Sequence, residues 1–367
     1  MSFFNFKKIL GGRQTALGID IGSSSIKVVE LKKEGGKAVL KAYGEIALGP
    51  YAGGGIGTVP SLTNDKISEA LRDVLHESNI KTTESGVAIP FKSSLVSLIE
   101  MPALSEKKLE EIIPIEARKY IPVPISEVTL DWWIIPKEKY DHAAEVKEAH
   151  AIDKTEVLVI SIHNEILNSY NNIVRDNGLQ TSFFEIEMFS VVRSIVARTN
   201  TPVLVFDFGA LGTKLYIVVR GIIRASHIIN KGSKDITEGL AKSLVINFAE
   251  AEKIKRNITS LKEADQKTVN GVVDLTLNHI WAETRTIISN FERTSGVRVG
   301  LAILSGGGIA LPHFVERVEK ELNLKAELGN PFSKISAPAF ISATLRDTAY
   351  GFAVATGAAL RKLEELS

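Results

Sequence analysis

A short motif occurs twice in this chain, once near the N-terminus and once past the middle. Residues 18–29 and residues 205–216 both contain Asp-x-Gly-x-x-x-x-Lys, with an apolar residue on each side of the aspartate. In both copies the small residues after the aspartate lead into a β-rich stretch, which predicts a strand, a tight turn and a second strand. The repeat therefore predicts a duplicated domain with one β-hairpin in each half.

Small residues and hydroxyl groups occupy the turns of both predicted hairpins. They are Gly22, Ser23, Ser24 and Ser25 in the first copy and Gly209, Gly212 and Thr213 in the second. Because these residues have little side-chain bulk, their backbone N–H groups can approach an anion, and the hydroxyls add further donors. The carboxylates of Asp20 and Asp207, at the ends of the first strands, can bind Mg²⁺ or its water shell. Two such hairpins facing each other across a cleft would hold a triphosphate and its metal ion.

One Asp-x-Gly turn by itself would be explained as an ordinary hairpin. Two copies with the same spacing from aspartate to lysine favour the phosphate-binding interpretation. The lysine of the first copy, Lys27, would either add a point charge to a phosphate or be a solvated hairpin lysine.

A third glycine-rich element follows the second hairpin. Residues 301–304 are a short apolar run typical of a buried strand, and a helical pattern extends from about residue 312 to residue 322. Between them lie Gly306, Gly307 and Gly308. A strand, a glycine turn and a helix provide a backbone surface for a flat ring or a phosphate, although such a turn alone is a weak signal. Its position after two phosphate hairpins predicts that it faces a nucleoside.

Length, charge and composition limit the remaining classes of function. The chain has 367 residues, more than the ~250–300 at which a single core stops growing, so two domains are expected. The formal net charge of +1 gives no reason to expect a nucleic-acid partner. There are no cysteines, which excludes disulfides and cysteine-based zinc sites, and no run of about 20 apolar residues that would span a bilayer. Residues 1–10 match a signal peptide poorly and are expected to be a frayed start or a short amphipathic segment.

The order of hairpin, hairpin and Ser-Gly-Gly-Gly resembles the phosphate-1, phosphate-2 and adenosine motifs of the ATPase fold that actin, heat-shock chaperones and sugar kinases share. The resemblance implies an α/β protein with the actin-like ATPase fold, built from two ribonuclease H-like duplicated halves. It also implies ATP or ADP with Mg²⁺ as cofactors, with Asp20 and Asp207 organising the metal ion through water. The backbones of residues 22–25 and 209–213 would then hold the phosphates, and residues 306–308 would face the nucleoside.

The two connecting helices of this superfamily also have counterparts in the sequence. They are residues 185–192 and residues 353–360, whose small side chains would let two helices cross closely. On the same resemblance Glu252 and Lys255 are assigned to the nucleoside, with a solvated charged helix face as the equal alternative. Glu187 would be the catalytic residue that orients an attacking water if ATP is hydrolysed, and is otherwise a structural polar residue near a helix start.

A finer resemblance is to the PilM family of type IV pilus assembly proteins. It rests on residues 1–4, residues 17–31 and residues 101–133, the last of which contain the run Glu-Ala-Arg-Lys-Tyr-Ile-Pro. The last block resembles the extra subdomain that the PilM and FtsA families share in place of actin's own.

The PilM resemblance implies a cytoplasmic component of the type IV pilus inner-membrane platform. The implied partner is the cytoplasmic N-terminal segment of the membrane protein PilN, which the family places in the groove between the first main subdomain and the extra one. Other platform proteins and self-association are further expected partners. The protein would be recruited to the inner membrane through its partner.

The predicted boundaries follow the order of subdomains in the superfamily. Domain I comprises residues 1–87, 166–200 and 345–367, and residues 88–165 form the FtsA/PilM-type extra subdomain. Domain II comprises residues 201–344, with residues 236–290 as its helical part. Residues 142–153 are charged and predicted to be a solvent-exposed hairpin tip, whereas residues 53–57 lack the Lys-Ser/Thr of a P-loop and are predicted to be a flexible loop.

Two functions from different classes remain open at this point. In the first the protein is a nucleotide-linked scaffold, in which Mg-ATP stabilises one cleft geometry and that geometry sets the affinity for a partner. In the second it is a hydrolytic ATPase, or an FtsA-like filament protein of the cytoskeleton or of cell division. The sequence contains neither His-Glu-x-x-His nor Gly-x-Ser-x-Gly, so neither that zinc-protease motif nor a serine-hydrolase elbow is present.

Overall fold

A computed structural model describes residues 14–135, 154–337, 345 and 348–366. The chain forms two compact units, of which the larger comprises Met1–Ile89 with Ile173–Ser367 and the smaller comprises Pro90–Asn172. The finer predicted division of the larger unit into domains I and II stays a prediction. The PilM-like opening at residues 1–4 and the predicted hairpin tip at residues 142–153 lie outside the described residues.

The secondary structure is mixed, with strands and helices in both units. In the described residues the strands are β1 (Thr15–Ile21), β2 (Ser25–Glu34), β3 (Lys37–Ala47), β4 (Glu84–Ile89), β5 (Ser94–Pro102), β6 (Val128–Ile134), β7 (Lys154–His163), β8 (Gln180–Ile186), β9 (Val203–Phe208), β10 (Thr213–Val219), β11 (Ile222–Ile229), β12 (Leu301–Ser305) and β13 (Ala326–Leu328). The α-helices of the same residues are α1 (Asn64–Glu77), α2 (Glu106–Ala117), α3 (Asn164–Asp176), α4 (Glu187–Ile195), α5 (Ser233–Leu244), α6 (Phe248–Arg256), α7 (Glu263–Ser295), α8 (Phe314–Leu322) and α9 (Ala353–Glu365). No helix among them is both long enough and apolar enough to cross a membrane.

The larger unit contains two five-stranded sheets with the same topology. The strand order is β3-β2-β1-β4-β8 in the first sheet and β11-β10-β9-β12-β13 in the second. In each sheet the first three strands pair antiparallel and the last two join in parallel. Two identical topologies in sequence order confirm the predicted duplication into ribonuclease H-like halves.

The second sheet is anchored by an aromatic cluster behind β9. All six residues of β9 are buried, and Phe206 and Phe208 pack on Phe314 of α8 and Trp281 of α7. The rings of Phe208 and Phe314 stack with centroids 5.1 Å apart. Each fully buried ring contributes roughly 1.5–3 kcal/mol, so this cluster holds rigidly the strand that carries Asp207.

Helices α4 and α9 cross closely, as their small residues predict. A Cβ added at Gly357 of α9 would overlap the Ser190 carbonyl of α4. The Ser194 hydroxyl donates to the Ala353 carbonyl oxygen at 2.8 Å. The first helix starts at Glu187 rather than at Glu185, because Glu185 still belongs to the parallel ladder between β8 and β4.

The smaller unit is a three-stranded antiparallel sheet of order β5-β7-β6. Helix α2 packs on it through a small apolar core of its own. That core comprises Ile99, Met101, Leu109, Ile113, Ala117, Ile121, Val128, Val157 and Val159. A sheet that buries one face against a single helix has the arrangement expected of an inserted subdomain.

Candidate functional site

The two hairpins have the same backbone geometry. The Gly22 amide donates to the Ser25 carbonyl oxygen at 3.0 Å, and the Gly209 amide donates to the Gly212 carbonyl oxygen at the same distance. Asp20 is the cross-strand partner of Lys27, just as Asp207 is the cross-strand partner of Lys214. The equal spacing in the sequence is therefore the register of one hairpin built twice.

The turns present backbone donors that the protein does not use. In the described part of the chain, the amides of Ser23, Ser24, Ala210 and Leu211 donate to no protein acceptor. One carbonyl beside the open amides of each turn is occupied: that of Ser24 accepts from the Leu48 amide, and that of Ala210 accepts from the Lys234 amide. Because these carbonyls are tied down while the amides stay open, each turn offers donors to an anion.

The charged centre of the site lies between the hairpins. The Lys214 ammonium donates to Glu187 Oε2 at 2.7 Å and to Asp207 Oδ2 at 3.2 Å. Glu187 and Asp207 are 6% and 5% exposed. Burial by itself would lower the pKa of Lys214, but the charge of Asp207 and then that of Glu187 outweigh it and raise this pKa above its usual range, so the lysine is firmly cationic.

Asp20 completes this group of charges from the first hairpin. Burial, together with the charges of Glu187 and Asp207, raises the pKa of Asp20 to about 7 against the opposing charges of Lys27 and Lys214. Asp20 thus interacts with charged groups of both hairpins and of helix α4, which indicates that these three elements meet at the charged centre. A carboxyl group with a raised pKa next to two other carboxylates indicates that an added positive charge would be favourable at this site.

Lys27 lies in a different environment from Lys214. Its ammonium donates to the Ser25 hydroxyl at 2.7 Å and pairs with Glu45 Oε1 at 3.1 Å, on the neighbouring strand β3. Burial alone would raise the pKa of Glu45, but the Lys27 charge and the bonds to Ser25 and Lys27 outweigh it and lower that pKa. Lys27 is thus paired within its own sheet.

Glu252 and Lys255 form a buried pair on α6, which rules out the solvated helix face that the sequence left open. Lys255 Nζ lies 2.7 Å from Glu252 Oε2, and the Thr237 hydroxyl on α5 bonds to both side chains. The Lys255 ammonium also donates to the Ser233 carbonyl oxygen at 3.2 Å. Burial lowers the pKa of Lys255 against the opposing charge of Glu252.

This pair is connected to the second hairpin through the start of α5. The Ser233 amide, in the first turn of α5, donates to the Gly209 carbonyl oxygen at 2.9 Å. The pair is thus one hydrogen-bonded step from the hairpin turn.

The glycine-rich stretch at residues 53–57 packs on the same helix. A Cβ added at Gly57, where φ is +88°, would lie 2.8 Å from the Glu252 carboxyl carbon. Gly55 approaches Ala249 in the same way, with its added Cβ 3.8 Å away. The predicted flexible loop therefore has a defined place over the Glu252 side chain.

The three glycines after β12 play different parts. Gly306 has a φ of +90°, and a Cβ there would press on the Phe208 carbonyl and on the carboxylate of Asp207. Gly308 is buried against the Phe208 ring, whereas a Cβ added at Gly307 would meet nothing within 4 Å. Of the three glycines predicted to face a nucleoside, only Gly307 is exposed.

The structure brings the residues singled out in the sequence to one region of the larger unit. The first hairpin, Glu187 and the second hairpin share the charged centre, while Glu252, Lys255 and the glycine turn adjoin the second hairpin. Lys214 is not among the predicted site residues, although it is the lysine of the second copy of the repeat. In the structure it is the cation that pairs with both Glu187 and Asp207. Among the described residues, no three His, Asp or Glu side chains are placed to ligate a metal ion directly.

Solved structures with the same fold include three from different systems. The PilM–PilN type IV pilus biogenesis complex matches with a TM-score of 0.79 and 23% identity, covering 96% of this chain and 99% of that one. The ethanolamine utilization protein EutJ from Carboxydothermus hydrogenoformans matches with 0.56 and 15% identity, covering 95% and 90%. MreB5 of Spiroplasma citri bound to ADP matches with 0.52 and 11% identity, covering 96% and 97%. These likenesses confirm the actin-like ATPase fold.

A family model provides the assignment within that fold. The model described as type IV pilus assembly protein PilM matches residues 18–363, which include both hairpins, the smaller unit and helix α9. The chain therefore belongs to the PilM family of type IV pilus assembly proteins.

Proposed function

We propose that this protein is an Mg-ATP-binding scaffold of the type IV pilus inner-membrane assembly platform. The observation that carries the proposal is the pair of matching hairpin turns, whose unused amides at Ser23, Ser24, Ala210 and Leu211 flank one charged centre. Turns that offer several open N–H groups bind phosphate oxygens. A chain of phosphates is the ligand that two such turns suit best.

The chemistry of the site fits a magnesium ion next to those phosphates. Asp20 and Asp207 are hard oxygen ligands, and Mg²⁺ prefers to keep several waters when it binds through one or two carboxylates and substrate phosphates. The elevated pKa of Asp20 shows a carboxyl group for which an added cation would compete with a proton. When bound, the metal ion would neutralise phosphate charge, while the chain itself positions the phosphates through its turn amides.

Related folds support a nucleotide as the ligand. The MreB5 protein of Spiroplasma citri has been solved both with ADP and with AMPPNP, at TM-scores of 0.52. In our proposal Glu252 and Lys255 border the nucleoside end of the site, and Gly307 provides open backbone beside it. Gly306 and Gly308 act indirectly, by letting the glycine turn pack against the strand that carries Asp207.

The proposed partner is the cytoplasmic N-terminal segment of PilN. Support comes from family membership and from the likeness to a PilM–PilN complex over 96% of the chain. Residues 88–165 are proposed to contribute to the peptide site. Binding that segment would recruit the protein from the cytoplasm to the inner membrane.

The contacts of Glu187 favour binding over turnover. A glutamate that orients an attacking water must have a carboxylate oxygen available to that water. Here Glu187 Oε2 accepts from the Lys214 ammonium at 2.7 Å. This ion pair competes with a water for the Glu187 carboxylate, and on that ground we expect hydrolysis to be slow compared with nucleotide binding.

Calorimetric titration of ATP with Mg²⁺ tests the nucleotide proposal. Wild-type protein should bind with micromolar or tighter affinity, and Asp207→Ala should weaken binding by about one-hundredfold or more. Asp265→Ala, which removes an exposed aspartate at the start of α7, is the matched control and should bind like wild type. Absence of binding by folded wild-type protein would refute the nucleotide-linked role.

A second titration tests the partner. A synthetic peptide with the sequence of the PilN N-terminal segment is titrated into the protein with and without Mg-ATP. A scaffold whose cleft is linked to its partner should show different peptide affinities in the two conditions. Equal affinities would leave PilN binding intact but remove the nucleotide linkage.

A further inference from the structure

The Lys214 side chain connects the two halves of the larger unit at the charged centre. Lys214 is on β10 of the second sheet, whereas Glu187 begins α4 directly after β8 of the first sheet. Their ion pair at 2.7 Å is therefore a bond between the halves. The same ammonium holds Asp207 of its own hairpin at 3.2 Å.

The ammonium still has capacity to bind a ligand. A lysine has three N–H donors, and in the described residues protein atoms accept from two of those of Lys214. The side chain as a whole is 22% exposed, so part of it is accessible from outside the protein. The same strand starts at Thr213, and the unused amides of Ala210 and Leu211 lie three and two residues before it, in the turn.

The equivalent lysine in the first hairpin makes no such connection in the part of the chain that the structure describes. Lys27 contacts Ser25 on its own strand and Glu45 on the adjacent strand β3. The repeat thus supplies two lysines at the same hairpin register, but within the described ranges only Lys214 bonds to a carboxylate of the opposite half. A ligand that draws on Lys27 would leave the bond between the halves unchanged.

We propose that Lys214 senses the terminal phosphate of a bound nucleoside triphosphate and couples its presence to the bond between the halves. A terminal phosphate held by the turn amides supplies acceptor oxygens to the ammonium, which then shares its donors among Glu187, Asp207 and phosphate. A diphosphate lacks that group and leaves the pair with Glu187 as it stands. This inference rests on the proposed nucleotide binding and adds to it a means of telling ATP from ADP.

The test compares the dissociation constants of Mg-ATP and Mg-ADP for three proteins by calorimetry. Wild-type protein should prefer ATP. Lys214→Met should reduce that preference by about tenfold or more, which is the loss expected for one charge-assisted hydrogen bond. The control variant Lys66→Met removes an exposed lysine of α1 that pairs with Glu69, and it should keep the wild-type ratio.

Folding of the variants is controlled in the same experiment. Lys214→Met leaves two buried carboxylates without their cation, so the double variant Glu187→Gln, Lys214→Met is measured beside it and should lose the same preference. A folded Lys214→Met or double variant that keeps the wild-type ratio would overturn the sensor role while leaving nucleotide binding in place. A wild-type protein that binds neither nucleotide would instead remove the proposed function itself.

Discussion

The first and second hairpins differ in their surroundings far more than in their backbones. Both turns close with the same 3.0 Å hydrogen bond, and both pair an aspartate with a lysine across the strands. In the first hairpin, Lys27 pairs with Glu45, whose side chain is 47% exposed. In the second, Lys214 joins two buried carboxylates, and the glycine turn after β12 packs on Asp207.

This comparison shows how two copies of one element come to have different electrostatic roles. The backbone geometry, which depends on local sequence, was retained in both copies. The ion pairs of each lysine depend on which carboxylates, distant in sequence, the fold places next to it. The second hairpin therefore became the centre of the candidate site, while the first kept its open turn amides and a peripheral ion pair.

The largest expected effect is the difference in protein stability between variants of the two lysines. Lys214→Met should lower the free energy of unfolding by about 3–5 kcal/mol, because it leaves Glu187 and Asp207 buried without a cation. Lys27→Met should cost about 1 kcal/mol or less, because Glu45 is half exposed and water replaces the lost pair. Urea denaturation of both variants measures the difference, and equal losses would contradict the comparison.

The glycine turn gives the next effect. Gly306→Ala should destabilise the protein by about 2–4 kcal/mol, because φ is +90° and the added Cβ presses on Asp207 and the Phe208 carbonyl. Gly307→Ala, where a Cβ would meet nothing within 4 Å, should change stability by about 0.5 kcal/mol or less. Thermal unfolding of the two variants measures both losses of stability. If Gly306→Ala unfolds at the wild-type temperature, the turn does not depend on its packing against β9.

The pH dependence of stability tests the first hairpin. In the protein without added Mg²⁺ or nucleotide, the folded pKa of Asp20 is about 7 against 3.8 for the ordinary carboxyl, so the folded state binds more protons between these values. Its contribution to stability is therefore full below about pH 4 and is lost as the pH rises through 7. The loss should be about 1–2 kcal/mol, since solvent screens this partly exposed group.

Asp20→Asn is the variant that isolates this contribution. Urea denaturation at several pH values between 4 and 8 should show a falling stability for wild type and a flatter profile for Asp20→Asn. If the two profiles run parallel, the pH dependence arises elsewhere in the protein.

The smallest effect compares the hydroxyl groups of the two turns. The Thr213 hydroxyl is buried and donates to the Lys231 carbonyl oxygen at 2.8 Å, so Thr213→Val should cost about 1–2 kcal/mol. The Ser25 hydroxyl accepts from Lys27, which keeps Glu45 as a second partner, so Ser25→Ala should cost about 0.5–1 kcal/mol. Denaturation curves of the two variants measure the two losses of stability. A larger loss for Ser25→Ala than for Thr213→Val would contradict the prediction.

Much of the fold could be predicted because its signals are local. Equal spacing from aspartate to lysine implies equal hairpin register, and small residues in two helices imply a close crossing. The sequence pattern predicts a start of the first connecting helix two residues before the observed one, because Glu185 continues the ladder of β8 before the chain turns into α4. Such boundaries depend on pairing with β4, which is distant in sequence.

The site could be predicted only in part, because burial and pairing are decided by neighbours that are far away in the chain. A Glu-x-x-Lys pattern on α6 fits a solvated face as well as a ligand site until Thr237 of α5 covers it. Three consecutive glycines look equivalent, yet Phe208 occupies the space beside Gly308 and leaves only Gly307 exposed. Gly57 belongs to a predicted flexible loop, and only the structure shows that it packs on the Glu252 side chain.

By itself, the sequence determined the duplicated architecture, the register of both hairpins and the family, because strand alternation and turn geometry depend on residues a few positions apart. Only the tertiary structure decided that the two lysines of the repeat differ. Residues 27 and 214 are identical in type and position within the motif, but α4 delivers Glu187 to Lys214 and β3 delivers Glu45 to Lys27. The energy of a charge is set by its partners and its exposure to water, and both are properties of the folded chain.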